Sequence, residues 1–260
     1  MRIFTNSPKI IKRKTKEIKA LSHYESYAHN VDGFSHLALR KLRVVMAGAG
    51  GLGSEVGEGL VRKGIGVLTV IDHDKVELTN LNRQRFSKQD IGKYKVKQLT
   101  KRISKEGFFN TNITGIPFKF EEAVERGLNL DCDVAICGVD SDPSRIFIST
   151  YYYKLGIPVI FTAMSENASN GYVFVQEKED ACFGCFMPDS LDAGEVFPCP
   201  GSPSLKDILK VVSGVVLYAV DSLFMDRLRV WNYKEIFLDG TIPEFCTKID
   251  RKQECKLCNS

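Results

Sequence analysis

Arg43-Val44-Val45-Met46-Ala47-Gly48-Ala49-Gly50-Gly51-Leu52-Gly53 is the stretch whose reading decides the fold. Arg43 to Gly48 reads as a short buried strand, and Val56, Leu60 and Val61 follow at helical spacing up to Gly64. Val67 to Ile71 is a second strand, which closes a strand-helix-strand unit. Gly48, Gly50 and Gly53 therefore place G-x-G-x-x-G between a strand and a helix. Without side chains the backbone can turn tightly there, and the N–H groups of the turn and of the helix N-terminus can approach a phosphate. Taken alone, the turn fits NAD, FAD, S-adenosylmethionine or ATP, or a purely structural role.

Outward from this unit the alternation continues. Val96, Leu99 and Ile103 fall on one face of a helix running from Lys93 to Gly107. Asn112 to Ile116 and Val134 to Cys137 read as strands, with a helix from Glu121 to Gly127 between them. Pro143 to Leu155 reads as a helix with proline in its first turn, and Pro158 to Thr162 as a strand. Such alternation predicts an α/β fold: a Rossmann-like, mostly parallel sheet with helices on both faces. After Gly171 the pattern changes. Tyr172 to Val175 reads as a strand, 182–204 as a loop, and Leu205 to Leu223 as one long buried helix. Lys234 to Leu238 and Phe245 to Ile249 read as a closing hairpin around Asp239-Gly240, a C-terminal antiparallel extension. Residues 1–30 are polar and basic and read as an N-terminal arm, leaving 31–260 as a single domain.

Composition narrows the class. The chain has 260 residues, 43% hydrophobic and 26% charged, which is ordinary for a globular protein able to bury a proper core. A net charge of +4 does not by itself announce nucleic acid, although it does not exclude it. The charge is uneven: 9–19 holds Lys9, Lys12, Arg13, Lys14, Lys16 and Lys19 against Glu17, and 83–105 holds nine Lys or Arg against Asp90. The second run lies beside the glycine motif, where an anionic ligand is expected. The N-terminus lacks the apolar segment of a secretory signal. The longest apolar run, Val211 to Val220, is broken by Ser213 and Gly214 and too short for a membrane span. A soluble, cytoplasmic protein with no membrane partner is the expectation.

Asp72 lies 19 residues beyond Gly53 at the end of the second strand, where a carboxylate can accept hydrogen bonds from ribose hydroxyls. Three further stretches exceed the needs of a dehydrogenase: Asp72-His73-Asp74-Lys75-Val76, Asn80-Leu81-Asn82-Arg83-Gln84, and Gly92-Lys93-Tyr94-Lys95. A pyrophosphate can be held by the glycine turn alone, whereas a triphosphate needs more cations. In these motifs, with Cys137-Gly138-Val139-Asp140 after a later strand, the chain resembles the ThiF/MoeB/HesA family of adenylating enzymes related to ubiquitin-activating enzymes. The resemblance runs over about residues 27–258 and rests on five motifs in order: G-x-G-G-x-G, D-x-D-x-V, N-L-x-R-Q, G-x-x-K and the later aspartate. It implies a nucleotide site made of Gly48, Gly50, Gly51, Gly53, Asp72, Asp74, Asn80, Arg83, Gln84, Lys95 and Asp140. Gly51 would pack against the nucleotide and Asp72 would hold the ribose. Asn80, Arg83 and Lys95 would contact phosphate oxygens, and Asp140 would coordinate magnesium. The chemistry agrees, because attack of a carboxylate on an α-phosphate brings negative charges together and needs cations to shield them.

Cys182-Phe183-Gly184-Cys185 and Cys255-Lys256-Leu257-Cys258 are two C-x-x-C pairs, which together can complete a tetrahedral four-cysteine zinc site tying the C-terminal tail to the loop after the sheet. The resembling family has a zinc site at these places. Cys199, in Phe197-Pro198-Cys199-Pro200-Gly201, falls near a family cysteine that forms a thioester or persulfide. Its Pro/Gly surroundings depart from the family's apolar, glycine-containing stretch, so the catalytic role and an inert one both stay open. Cys132, Cys137 and Cys246 read as buried small residues. A second departure is His29 in Tyr27-Ala28-His29-Asn30, where the family carries an arginine that reaches a neighbouring subunit's ATP; Arg13 is another candidate for that charge.

The leading expectation is thus an ATP- and magnesium-dependent adenylyltransferase. It would activate the C-terminal carboxylate of a ubiquitin-like protein, sulfur-carrier protein or peptide and release pyrophosphate, with Arg83, Lys95, Asp140 and Cys199 as catalytic candidates. The resemblance also implies a homodimer. Two alternatives remain: an ATP-dependent dehydratase acting on a tRNA nucleoside, and a catalytically silent scaffold that docks a carrier.

Overall fold

The structure is a computed structural model and describes residues 31–165, 168–191, 205–240 and 242–258. The basic arm 1–30, with His29 and Arg13, and the segment carrying Cys199 lie outside the described residues.

The described elements begin with a short helix, α1 (His36–Leu39), followed by β1 (Arg43–Ala47), α2 (Gly51–Lys63) and β2 (Val67–Ile71). Next come α3 (Lys95–Ile103), β3 (Asn112–Ile116), α4 (Phe120–Glu125), β4 (Val134–Cys137), α5 (Asp142–Leu155) and β5 (Val159–Met164). The C-terminal part holds β6 (Asn170–Gln176), α6 (Phe183–Phe186), α7 (Lys206–Phe224), β7 (Tyr233–Phe237) and β8 (Phe245–Thr247).

Strand β1 has apolar side chains in both directions and so requires cover on both sides. Val44 and Met46 join one core cluster while Val45 and Ala47 join the other, the period-two alternation of a strand buried on both faces. The same division holds in β4, with Val134 and Ile136 on one face and Ala135 and Cys137 on the other. One sheet of eight strands results, in the order β3-β2-β1-β4-β5-β6-β7-β8. Its first five strands are parallel, with Val45 opposite Thr69 and Ala135. The last three join antiparallel, with Phe161 opposite Phe174 and Lys234 opposite Cys246.

Helices α2, α3 and α7 cover one face through Val56 and Leu60, Val96 and Leu99, and Leu209, Val212 and Val216. Helices α4 and α5 cover the other through Phe120, Ala123, Ile148 and Tyr152, beside the four cysteines of the C-x-x-C pairs. The expected α/β architecture with its antiparallel extension is therefore present. Among the described residues no helix is long and apolar enough to cross a membrane.

Boundaries differ from expectation where tertiary hydrogen bonds intervene. Helix α3 begins at Lys95 rather than Lys93 because Tyr94 pairs in a bridge with Lys75, and Val76 and Lys93 are joined through backbone groups. Strand β8 ends at Thr247, beyond which both amide atoms of Asn232 bond the backbone of Ile249. The expected loop from 182 contains the short helix α6 and a 3₁₀ turn, Pro188–Leu191. Cys246 was expected to be buried and is exposed, because β8 is the outer edge of the sheet. Cys132 and Cys137 are buried as expected, with burial raising their thiol pKa values to about 11 and about 12.

Candidate active site

The sheet reverses its winding between β1 and β4, and at the carboxyl ends of these strands the glycine turn and the Asp140 loop meet. Gly48 sits at φ +101, a conformation that suits glycine, and a Cβ there would lie 2.8 Å from the Gly138 carbonyl oxygen. Gly53 closes the turn on itself, since a Cβ at this position would run into the Gly48 carbonyl oxygen. Gly50 is the N-cap of α2 and faces open space, with Gln84 Nε2 the nearest atom at 3.8 Å from the place of a Cβ. Gly51 sits close against another helix. A Cβ there would lie 2.8 Å from Leu209 of α7, so its side-chain position belongs to helix packing and only its backbone is left for a nucleotide.

Asp72 stands at the end of β2 and bridges two backbone groups. One carboxylate oxygen accepts from Ala49 N–H in the glycine turn at 2.6 Å, the other from Asp74 N–H at 2.7 Å. Burial raises its pKa above the ordinary carboxylate value; the nearby Lys95 and the two N–H donors oppose the rise without cancelling it. A carboxylate has lone pairs for about four hydrogen bonds, so acceptor capacity remains after these two. Lys95 itself is nearly buried, 10% exposed, and its ammonium lies 2.8 Å from Asp74. Asp72, His73 and Asp74 also place three potential metal-ligand atoms within 4.8 Å of one another.

The segment after β2 is held by its own side chains. Buried Asn80 accepts from Glu77 N–H through Oδ1 at 2.9 Å, so this oxygen serves the local turn. Arg83 donates to the Thr79 carbonyl at 2.6 Å and to Asn82 Oδ1 at 3.0 Å, and is half-buried beside the site. Gln84 is buried, and its Oε1 has no hydrogen-bond partner among the described residues. An orphaned acceptor next to an open glycine turn suits a ligand that brings a donor. Part of the charge in 83–105 is spent internally: Arg85 pairs with Glu55 and Glu58, and Arg102 pairs with Asp90.

Asp140 follows β4 and is exposed, between half-buried Val139 and Ser141. The loop is anchored to β1 by the Gly138 N–H, which donates to Ala47 O at 2.9 Å. Ser141 occupies the N-cap position of α5 but makes no side-chain cap. Arg145, which the sequence motifs did not single out, donates from Nε to the Val139 carbonyl at 3.0 Å and from Nη1 to Asp142 at 2.6 Å. Its only sequence-level signal was the three-residue spacing from Asp142.

The two C-x-x-C pairs come together on the other face. Sγ of Cys182 lies 3.7 Å from Cys185 and 3.4 Å from Cys255, and Cys185 lies 3.7 Å from Cys258. These separations are far beyond a disulfide bond. A tetrahedral ion with sulfur at about 2.3 Å has sulfur-sulfur edges of about 3.8 Å, so the set can hold a metal ion. Burial pushes the Cys182 thiol up; it acts the same way on Cys255, but there the backbone N–H groups of Cys258 and Leu257 and the neighbouring Cys182 and Cys185 thiols together outweigh it and hold the thiol down to about 7.

The parallel sheet, the glycine turn at its reversal and Asp72 at the end of β2 define an α/β protein of the Rossmann-like class. The chain belongs to the ThiF family, whose sequence pattern matches residues 26–255. Among curated relatives it is 34% identical over 163 residues to ubiquitin-like modifier-activating enzyme 5 of Culex quinquefasciatus. It is 33% identical over 162 residues to that enzyme of Dictyostelium discoideum. Each match takes in 58% of this chain, and it spans only 41% and 42% of the respective relative's length. The fold is shared with Escherichia coli MccB, solved with AMPCPP and MccA, at a TM-score of 0.71 and 20% identity over 86% of this chain and 68% of that one. It is also shared with PaaA, at a TM-score of 0.67 and 19% identity over 96% of this chain and 77% of that one.

Proposed function

We propose that the chain transfers AMP from ATP to a carboxylate, that of the C-terminus of a ubiquitin-like protein or a peptide. The observation that carries this reading is the meeting, at the end of β1, of an open glycine turn, the bridged carboxylate of Asp72 and the orphaned Oε1 of Gln84, with Lys95 close to Asp72. Family membership and the ubiquitin-like modifier-activating relatives support the choice of acceptor.

In this reading the turn and the N-terminus of α2 receive phosphate oxygens, and Asp72 uses its remaining lone pairs for the ribose hydroxyls. Lys95 and Arg83 offset charge as the acceptor carboxylate oxygen approaches the α-phosphorus. A bond forms between that oxygen and the α-phosphorus while the bond to the β-phosphate breaks, leaving acyl-AMP and pyrophosphate. Magnesium, held by Asp140, would neutralise phosphate charge. The four thiols Cys182, Cys185, Cys255 and Cys258 would hold zinc in a closed structural site with no open position for catalysis.

The test is incubation with ATP labelled in its AMP part and a cell extract, followed by mass spectrometry of the labelled products. An acceptor carrying AMP on its C-terminal carboxylate, with pyrophosphate released and labelling abolished by Asp140→Ala, is the expected result. If every carrier tried yields neither labelled product nor ATP–pyrophosphate exchange, the reading fails.

A further inference from the structure

We propose that Arg145, Asp142 and Ser190 are positioning residues that fix the Asp140 loop and tie it to the cysteine cluster. The inference rests on the nucleotide site proposed above and concerns how this chain presents Asp140.

Asp140 lies between two pinned points. On one side Arg145 Nε holds the Val139 carbonyl at 3.0 Å, and on the other its Nη1 holds Asp142 Oδ1 at 2.6 Å. One rigid guanidinium thus fixes both ends of a four-residue loop, using the fork geometry that lysine lacks. The second oxygen of Asp142 accepts from the Ser190 hydroxyl at 2.9 Å, 48 residues away in sequence. Asp142 opens α5, where a carboxylate could cap the helix's own N–H groups; α5 makes no side-chain cap at its N-cap, and both Asp142 oxygens bond sideways instead. The Arg145 side chain is only 15% exposed, so its charge is taken largely out of water to serve this loop.

Ser190 lies close in sequence to the cluster. It lies on the 3₁₀ turn Pro188–Leu191, directly after α6, the helix that carries Cys185 and follows Cys182. The place of a Cβ on Gly184 is hemmed in by Leu191 at 3.0 Å and by Cys255 Sγ and Leu257 at 3.2 Å, so the turn and the tail that supplies the second cysteine pair both pack against α6 at Gly184. The path from thiols to loop is therefore continuous: cluster, turn, Ser190, Asp142, Arg145, Val139 carbonyl. Asp140 is exposed at its end.

Isothermal titration calorimetry with ATP, once in magnesium chloride and once in EDTA, tests the relay on the full chain. Ser190→Ala, which removes one partly buried hydroxyl, and Asp142→Asn are expected to cut the magnesium-dependent gain in ATP affinity by about fivefold or more. Affinity in EDTA should stay within about twofold, and Ser190→Thr should restore the gain. Arg145→Gln should act in the same direction with a lower melting temperature, which circular dichroism would register separately. Folded Ser190→Ala and Asp142→Asn chains with the wild-type magnesium-dependent gain would overturn the relay and leave the nucleotide site standing. No ATP binding by the unaltered chain in either condition would overturn the nucleotide site, and the relay with it.

Discussion

Burial raises the pKa of Asp72, yet two backbone donors and Lys95 are arranged to favour its charge. An acid whose folded pKa lies above its unfolded value contributes stability below the unfolded pKa, and loses it as pH rises through the folded one. Ionised Asp72 is therefore a net cost to the free fold at neutral pH, the pattern expected of a group kept for a ligand. Replacement by asparagine removes the charge but also one of the two acceptors, because an amide nitrogen cannot receive the N–H of Ala49 or Asp74. Asp72→Asn should weaken ATP binding about tenfold or more, equivalent to about 1.4 kcal/mol, while moving the melting temperature by only a few degrees. The difference between the two proteins should also shrink as pH falls through the raised Asp72 pKa. Calorimetric titration at several pH values reads both effects, and a variant that binds ATP like the parent would remove Asp72 from the site.

Helix α2 does two jobs with its glycines, and they can be separated. Gly53 faces the Gly48 carbonyl of the turn, whereas Gly59 faces the side chain of Leu217 on α7. A methyl group at Gly59 meets the end of a flexible side chain and should cost about 1–3 kcal/mol by overpacking, partly offset by about 1 kcal/mol of helix propensity. A methyl at Gly53 meets backbone that cannot give way without opening the turn. Thermal unfolding and ATP titration should show Gly59→Ala with a slightly lower melting temperature and intact affinity, and Gly53→Ala with affinity lost; equal behaviour would contradict the division. The same distinction explains what was legible in the sequence. Strands β1 to β4 have the boundaries expected of them, except that the first apolar stretch was read one residue longer, because runs such as Val134 to Cys137 are buried on both faces and need no distant partner to be recognised. The start of α3 was misplaced because a bridge to Lys75 decides it, and Cys246 was misread because its exposure depends on the final strand order. In the candidate site, the glycines, Asp72 and Lys95 are visible in the sequence as spaced motifs. Arg145 and Ser190 are not, since their partners are a backbone carbonyl and a residue 48 positions away.

Across the whole molecule, the chain leaves the parallel sheet at β5, adds three antiparallel strands and returns its tail to the face opposite α2 and α7. At the end of that return the two cysteine pairs meet. Cys182 and Cys255 are 73 residues apart, Lys252 N–H points to Cys185 Sγ at 3.3 Å, and Arg251 donates to the Cys258 carbonyl at 2.7 Å. Four thiolates within 4.8 Å of one another repel unless a cation sits among them, so without metal the thiols must stay largely protonated and the clip loses its strongest bonds. Structural zinc in small domains contributes about 10–16 kcal/mol of binding free energy. Only part of that should appear here as stability, because the core under α2, α3 and α7 contains none of the four cysteines and folds around its own apolar contacts. Cys258→Ser, or stripping the metal with a strong chelator, should lower the melting temperature by about 10 °C or more. It should also expose the tail beyond β8 to protease while β1 to β5 stay protected from hydrogen exchange. Elemental analysis of the untreated protein should give about one zinc per chain and that of Cys258→Ser much less. A metal-free chain that melts with the parent and resists protease at the tail would mean that packing alone holds the cysteines together.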